Sequence, residues 1–197
     1  LLDGMTVFGT MNRGGLQGAS FELDDRFTAM DAQAIADAGL DGGKMLTRIC
    51  YDDPGTAATL EASGRAVSEL AARGLVALVE PFITERGAPD RVHNRLDPDS
   101  VILSVQIASG LGATSAYTWL KLPVVDDMPR VLDATTLPTL LLGGDPTGDP
   151  AETYASWGRA LDVPQAAGLV VGRALLYPED GDVAHAVDVA ADLVHGR

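Results

Sequence analysis

Lysine is nearly absent from this 197-residue chain: there are two, Lys44 and Lys121, against twelve arginines. An amine side chain acting as a nucleophile can only be one of these two, because guanidinium stays protonated. Cysteine is also scarce. A single residue, Cys50, excludes an internal disulfide and fits a reducing cytoplasm, where it reads as a packed thiol. No apolar run is long enough to span a bilayer, and the N-terminus lacks the basic and apolar regions of a signal peptide. Positive charge is short as well. Fourteen Lys and Arg face 28 Asp and Glu, a net charge of −14, which argues against nucleic-acid or anionic-membrane partners. An anionic ligand would need positive charge gathered locally. No Gly-x-Gly-x-x-Gly follows a first strand and there is no Gly-x-Ser-x-Gly elbow. His93, His185 and His195 are scattered and form no ligand spacing, so neither a metal nor a cofactor is expected.

What is present is an alternation of short apolar runs with amphipathic stretches. Strands are predicted over Thr6–Thr10, Gly43–Cys50, Leu75–Ile83, Ala116–Val125, Pro138–Gly143 and Gly168–Leu176. Helices follow over 31–38, 56–73, 101–111 and 128–134, one opens at Asp149-Pro150, and the last spans 182–195. Asp53-Pro54, Asp97-Pro98 and Asp149-Pro150 each read as an N-cap followed by proline at the first helical position. The segment Glu85–Leu96 reads as the longest polar loop, and its arginines as solvated surface or part of a lid.

Near-continuous apolar strands alternating with helices select an α/β fold with a parallel sheet. Polar residues gather at the strands' C-terminal ends, where a (β/α)8 TIM barrel builds its active site. A full barrel has eight units in typically ~250 residues. The six seen here are therefore expected to be units three to eight of a single barrel domain. The first two units are then absent upstream, in keeping with a chain that begins Leu1-Leu2 and reads as a fragment or a processed product.

Lys121 sits among Trp119, Leu120, Leu122 and Pro123. Poor hydration there favours a neutral amine, able to attack a carbonyl and form a Schiff base. The alternative is a strand-end lysine pairing with Asp126. Lys44 lies two strands earlier; same-parity strands of a barrel share layers, so both amines can reach one cavity. Its alternative is a structural lysine paired with a carboxylate. Glu80 ends the strand between them, as a proton shuttle or a purely structural ion-pair partner. Gly143 and Gly144, with Gly172 and Arg173, end the last two strands, where barrels often bind phosphate through glycine N–H groups. Arg13 and Arg48 follow earlier strands and are candidate substrate contacts or plain loop structure.

The segments Gly43-Lys44-Met45-Leu46, Val79-Glu80-Pro81, Leu120-Lys121-Leu122-Pro123-Val124 and Val170-Val171-Gly172-Arg173-Ala174 carry a resemblance. In order and spacing they resemble class I aldolases of the (β/α)8 superfamily that includes tagatose-bisphosphate and deoxyribose-phosphate aldolases. They also resemble bacterial aldolase-like barrels, some linked to inositol breakdown. The resemblance implies a metal-independent aldolase acting on a phosphorylated sugar or sugar acid. Lys121 would be its Schiff-base lysine, Glu80 its proton shuttle and Lys44 the cationic neighbour. It also implies a homo-oligomer. Two other functions fit the same residues: a barrel isomerase or lyase without a covalent intermediate, and a non-catalytic sugar-phosphate-binding or regulatory barrel.

Overall fold

The computed structural model describes residues 4–12, 16–87, 91–144, 149–178 and 180–196. Among them, six parallel strands form one sheet in the order β1 (Phe8–Thr10), β2 (Gly42–Ile49), β3 (Val76–Gly87), β5 (Thr118–Pro123), β6 (Thr139–Leu142) and β7 (Ala166–Val170). A seventh strand, β4 (Arg91–Asn94), pairs antiparallel with the far end of β3. The helices are α1 (Ala32–Asp37), α2 (Gly55–Ala71), α3 (Pro98–Ser109), α4 (Met128–Leu132), α5 (Pro150–Leu161), α6 (Arg173–Leu176) and α7 (Val183–His195). This βα alternation gives an open half-barrel, with β1 and β7 as the two edges of the parallel sheet. None of these helices is long and apolar enough to cross a membrane.

Strand alternation divides the sheet into two faces. Along β2, Gly43, Met45, Thr47 and Ile49 are buried while Lys44, Leu46 and Arg48 are half-buried. Along β5, Leu120 and Leu122 are buried while Trp119 and Lys121 are half-buried. The buried set meets the helices: Met45, Val79, Leu120 and Leu141 join one core with Ile35, Val67, Leu70, Val105 and Val131. Each large side chain removed from water there contributes about 1.5–3 kcal/mol. The core therefore lies between sheet and helices, and it fixes which strand residues point the other way.

Three local expectations need correction. The segment Glu85–Leu96 is not a loop: Thr84 to Gly87 pair with Asn94 to Arg91 as a β-hairpin. The paired residues include one apolar side chain, Val92, so the segment lacks the apolar alternation that marks a strand. The last strand ends at Val170, and Arg173 opens the single-turn α6 with Gly172 as its N-cap. Asp53 does not cap α2 as expected. Pro54 is the N-cap, while Asp53 accepts from the Gly55 N–H at 2.8 Å and pairs with Arg86. Asp97 and Asp149 do cap their helices, with proline at the start of each.

Candidate active site

On the half-buried face of the sheet, charged side chains from three adjacent strands converge. Lys44 stands on β2, Glu80 on β3 and Lys121 on β5. Lys44 pairs in register with Leu78, and Leu46 with Glu80. Leu78 in turn pairs with Trp119, two residues before Lys121. All therefore point to one side, and the long lysine stems close the remaining gap. Glu80 Oε2 lies 2.5 Å from Lys44 Nζ, and Glu80 Oε1 lies 3.0 Å from Lys121 Nζ. One carboxylate thus bridges two amines, using both oxygens.

Glu80 is 8% exposed. Burial is the largest single influence on its carboxyl and pushes it up. Lys44 and then Lys121 together outweigh that push, so the carboxyl lies below its ordinary range. With both amines protonated, the trio carries a net charge of +1. A single proton leaving an amine makes it neutral.

Lys121 and Glu80 lie at a cavity of about 770 Å3. Gly143, Gly144, Gly172 and Arg173 line its other side, so the expected phosphate-binding residues and the bridged amine share one cavity. The three glycines have different reasons to be glycine. A Cβ on Gly143 would meet Val171 at 2.6 Å, and Gly144 has φ +70. Gly172 would meet nothing within 4 Å, so its bare backbone faces open space. Asn94 at the end of the hairpin and Leu96 just after it add to the cavity wall, and α5 adds Glu152, Ser156 and Trp157. These were not singled out in the sequence; for Asn94 and Leu96 the signal was hidden in a segment read as a loop. A second groove of about 620 Å3, between the 26–31 segment and α2, shares none of these residues.

Arg48 and Arg13 stand differently. Arg48 is engaged by the buried Glu22 side chain, donates to the Glu22 carbonyl at 3.0 Å, and lies 3.9 Å from Asp25. Arg13 lies outside the described residues. Among the described residues, no group of three or more His, Cys, Asp or Glu is placed to hold a metal ion.

A family model described as Cgl0159-like matches residues 1–191. The crystal structure of Cgl0159 from Corynebacterium glutamicum is 56% identical, with a TM-score of 0.95. The match covers 100% of this chain, which spans 65% of that relative's length. An archaeal fructose-1,6-bisphosphate aldolase, solved with its catalytic lysine covalently bound to the carbinolamine intermediate, is 17% identical. Its TM-score is 0.74, over 96% of this chain and 71% of the aldolase. The fructose-bisphosphate aldolase of Slackia heliotrinireducens is 16% identical with a TM-score of 0.66, over 94% of this chain and 66% of that one. At these identities the aldolases share the fold, a parallel α/β arrangement of the TIM-barrel type. No functionally curated protein matches the chain.

Proposed function

The chain belongs to the Cgl0159-like family, and from that footing we propose that the protein is a class I aldolase. It cleaves or forms a carbon–carbon bond in a phosphorylated sugar or sugar acid through a Schiff base on Lys121. The six parallel strands stand as the third to eighth of an eight-stranded barrel. The observation that carries this reading is the bridge itself, Lys44–Glu80–Lys121, with Lys121 and Glu80 on one cavity.

Neutral Lys121 Nζ adds to the substrate ketone and gives a carbinolamine. Glu80, carrying the proton that Lys121 released, returns it to the departing hydroxyl, which leaves as water. The resulting iminium is the electron sink. A base removes the β-hydroxyl proton, the carbon–carbon bond breaks, and its electron pair passes into an enamine on Lys121. Protonation and hydrolysis then free the second product. Lys44 supplies a fixed cation beside the reacting nitrogen. Gly172 and Arg173 hold the phosphate at the far side of the cavity, through backbone N–H groups and a charge-assisted bond. The iminium does the work a metal does in other aldolases, so the chemistry needs no ion.

The test is borohydride reduction in the presence of dihydroxyacetone phosphate, followed by peptide mass mapping. With only two lysines in the chain, the adduct is easily assigned. A stable adduct on Lys121 is expected. Absence of that adduct across a panel of phosphorylated ketones and keto acids would overturn the reading. Both amines are already engaged by Glu80, and that contact also suits an isomerase or lyase using Lys121 only as a charge. Turnover without a reducible adduct is its signature.

A further inference from the structure

One buried polar cluster takes no part in the chemistry above. Asn12, just past β1, uses its side-chain amide to extend the parallel ladder. Its Nδ2 donates to the Leu46 carbonyl at 2.7 Å and its Oδ1 accepts from the Leu46 N–H at 3.0 Å. Nδ2 also donates to Asp25 Oδ2 at 2.9 Å. The Asp25 N–H donates to Thr59 Oγ1 on α2 at 3.0 Å. Asp25 is 2% exposed, and among the described residues its buried Oδ1 has no hydrogen-bond partner. A carboxylate in such a place needs a reason, because anchoring Asn12 requires only an acceptor, which a neutral amide supplies as well.

The reason lies in its neighbours. Arg48 and Lys44 share one face of β2, and Asp25 feels both; Lys121 is not among the groups that act on it. Charges therefore alternate through the site: Glu22, Arg48, Asp25, Lys44, Glu80, Lys121. Each lysine rests on one oxygen of the same carboxylate. Asp25 adds its charge on the Lys44 side alone: Asn12 ties it to Leu46, two residues along β2 from Lys44, while Lys121 stands two strands away on β5.

We propose that Asp25 is the positioning residue that makes the two lysines unequal: it holds Lys44 as an ammonium ion and leaves Lys121 as the amine that gives up its proton. The balance is explicit. The proton leaving Lys121 Nζ goes to Glu80 Oε1, which becomes a carboxylic acid. Lys44 would then lose the charge of Glu80, its carboxylate partner among the described residues, while Asp25 remains as an anion acting on it. The consequence for Schiff-base chemistry rests on the proposed aldolase function; the inequality of the amines does not.

The effect should depend on pH in a set direction. Burial is the largest influence on the Asp25 carboxyl and holds it above its ordinary range, against Arg48, the Asn12 hydrogen bond and Lys44. Among the described residues, the groups facing it are Arg48 and Lys44 from β2, Glu22 on its own segment, Asn12 after β1 and Thr59 on α2. As pH falls, Asp25 loses its charge earlier than an ordinary aspartate, and the distinction between the lysines fades.

The probe is 2,4,6-trinitrobenzenesulfonate, which arylates neutral amines, applied to the full-length protein at graded pH with peptide mass mapping. Lys121 is expected to react faster than Lys44, although its side chain is 16% exposed against 27% for Lys44. Asp25→Asn keeps an acceptor for Asn12 and should raise the Lys44 rate relative to Lys121 roughly tenfold. An unchanged ratio in a variant that melts like the parent overturns the proposal. If Asp25→Asn does not fold, the parent decides: faster arylation of Lys44 overturns it, and a Lys121 preference that fades in acid supports it. Arylation needs no carbonyl substrate. A failed borohydride trap with the expected ratio therefore removes the aldolase reading and leaves this one standing.

Discussion

The two faces of the sheet are built from the same strands, one residue out of phase. On the helix side, Met45, Leu120, Leu122 and Leu141 are fully buried. On the other side Lys44, Leu46, Trp119 and Lys121 stay partly exposed and carry the charge. The helix side is closed by apolar contact and by neutral hydroxyl groups such as the Thr47–Ser63 pair, and carries no charged group among the core residues. The opposite side can hold Lys44, Arg48, Glu80 and Lys121 because each has a partner of opposite charge. Stability and chemistry should therefore separate by face. Substitutions on one side should change folding and spare the chemistry, and those on the other should do the reverse.

The largest expected effect tests the chemical face. Lys121→Arg keeps a cation beside Glu80 but replaces the amine proposed to form the imine with a guanidinium that cannot. Turnover should fall at least about 1,000-fold, while the melting temperature stays within a few degrees. Aldol cleavage assayed beside a thermal melt checks both halves. Near-normal turnover would refute Lys121 as nucleophile.

Next in size is the converse change. Leu120 is 0% exposed and sits between its register partners Val79 and Thr139. Leu120→Ala should cost about 2–5 kcal/mol of folding stability, measured by urea denaturation. Borohydride trapping of the remaining folded protein should still label Lys121, one residue away. A lost adduct in folded Leu120→Ala would show that the faces are not independent.

This division explains what could be read from the sequence. Apolar strands and capped helices announce themselves locally, so the βα alternation and the strands of Lys44, Glu80 and Lys121 were legible. Their convergence on one face follows from alternation and strand order. The hairpin was not legible: Arg86, Arg91, His93 and Asn94 give neither apolar alternation nor a tight-turn signature. The engagement of Arg48 was not legible either. Its partners Glu22 and Asp25 lie more than twenty residues away, in a segment without regular structure. Only the fold brings them to β2.

A smaller effect concerns the charge held between the faces. The Glu80 carboxyl lies below its ordinary 4.5 in the folded protein. The unfolded chain therefore binds the proton first. The stability Glu80 contributes is complete above pH 4.5 and is lost as pH falls below that value. Urea midpoints measured from pH 7 to pH 3 should fall over that acid window. In Glu80→Gln that part of the decline should be missing. An identical acid slope in the two proteins would show that the bridge is not held as charged groups.

The smallest expected effect sharpens the comparison within the chemical face itself. Arg173 lines the same cavity as Lys121 but from α6, outside the sheet. If it serves only the phosphate, Arg173→Gln should weaken binding of a phosphorylated ketone about tenfold, or about 1.4 kcal/mol. Binding of the unphosphorylated analogue and the melting temperature should not change, because the charge-assisted bond is lost only where a phosphate receives it. Equal weakening toward both ligands, measured by calorimetry, would mean that Arg173 shapes the cavity rather than reading its ligand's charge. The phosphate would then have to be held elsewhere on that rim, with the open backbone at Gly172 as the next place to look.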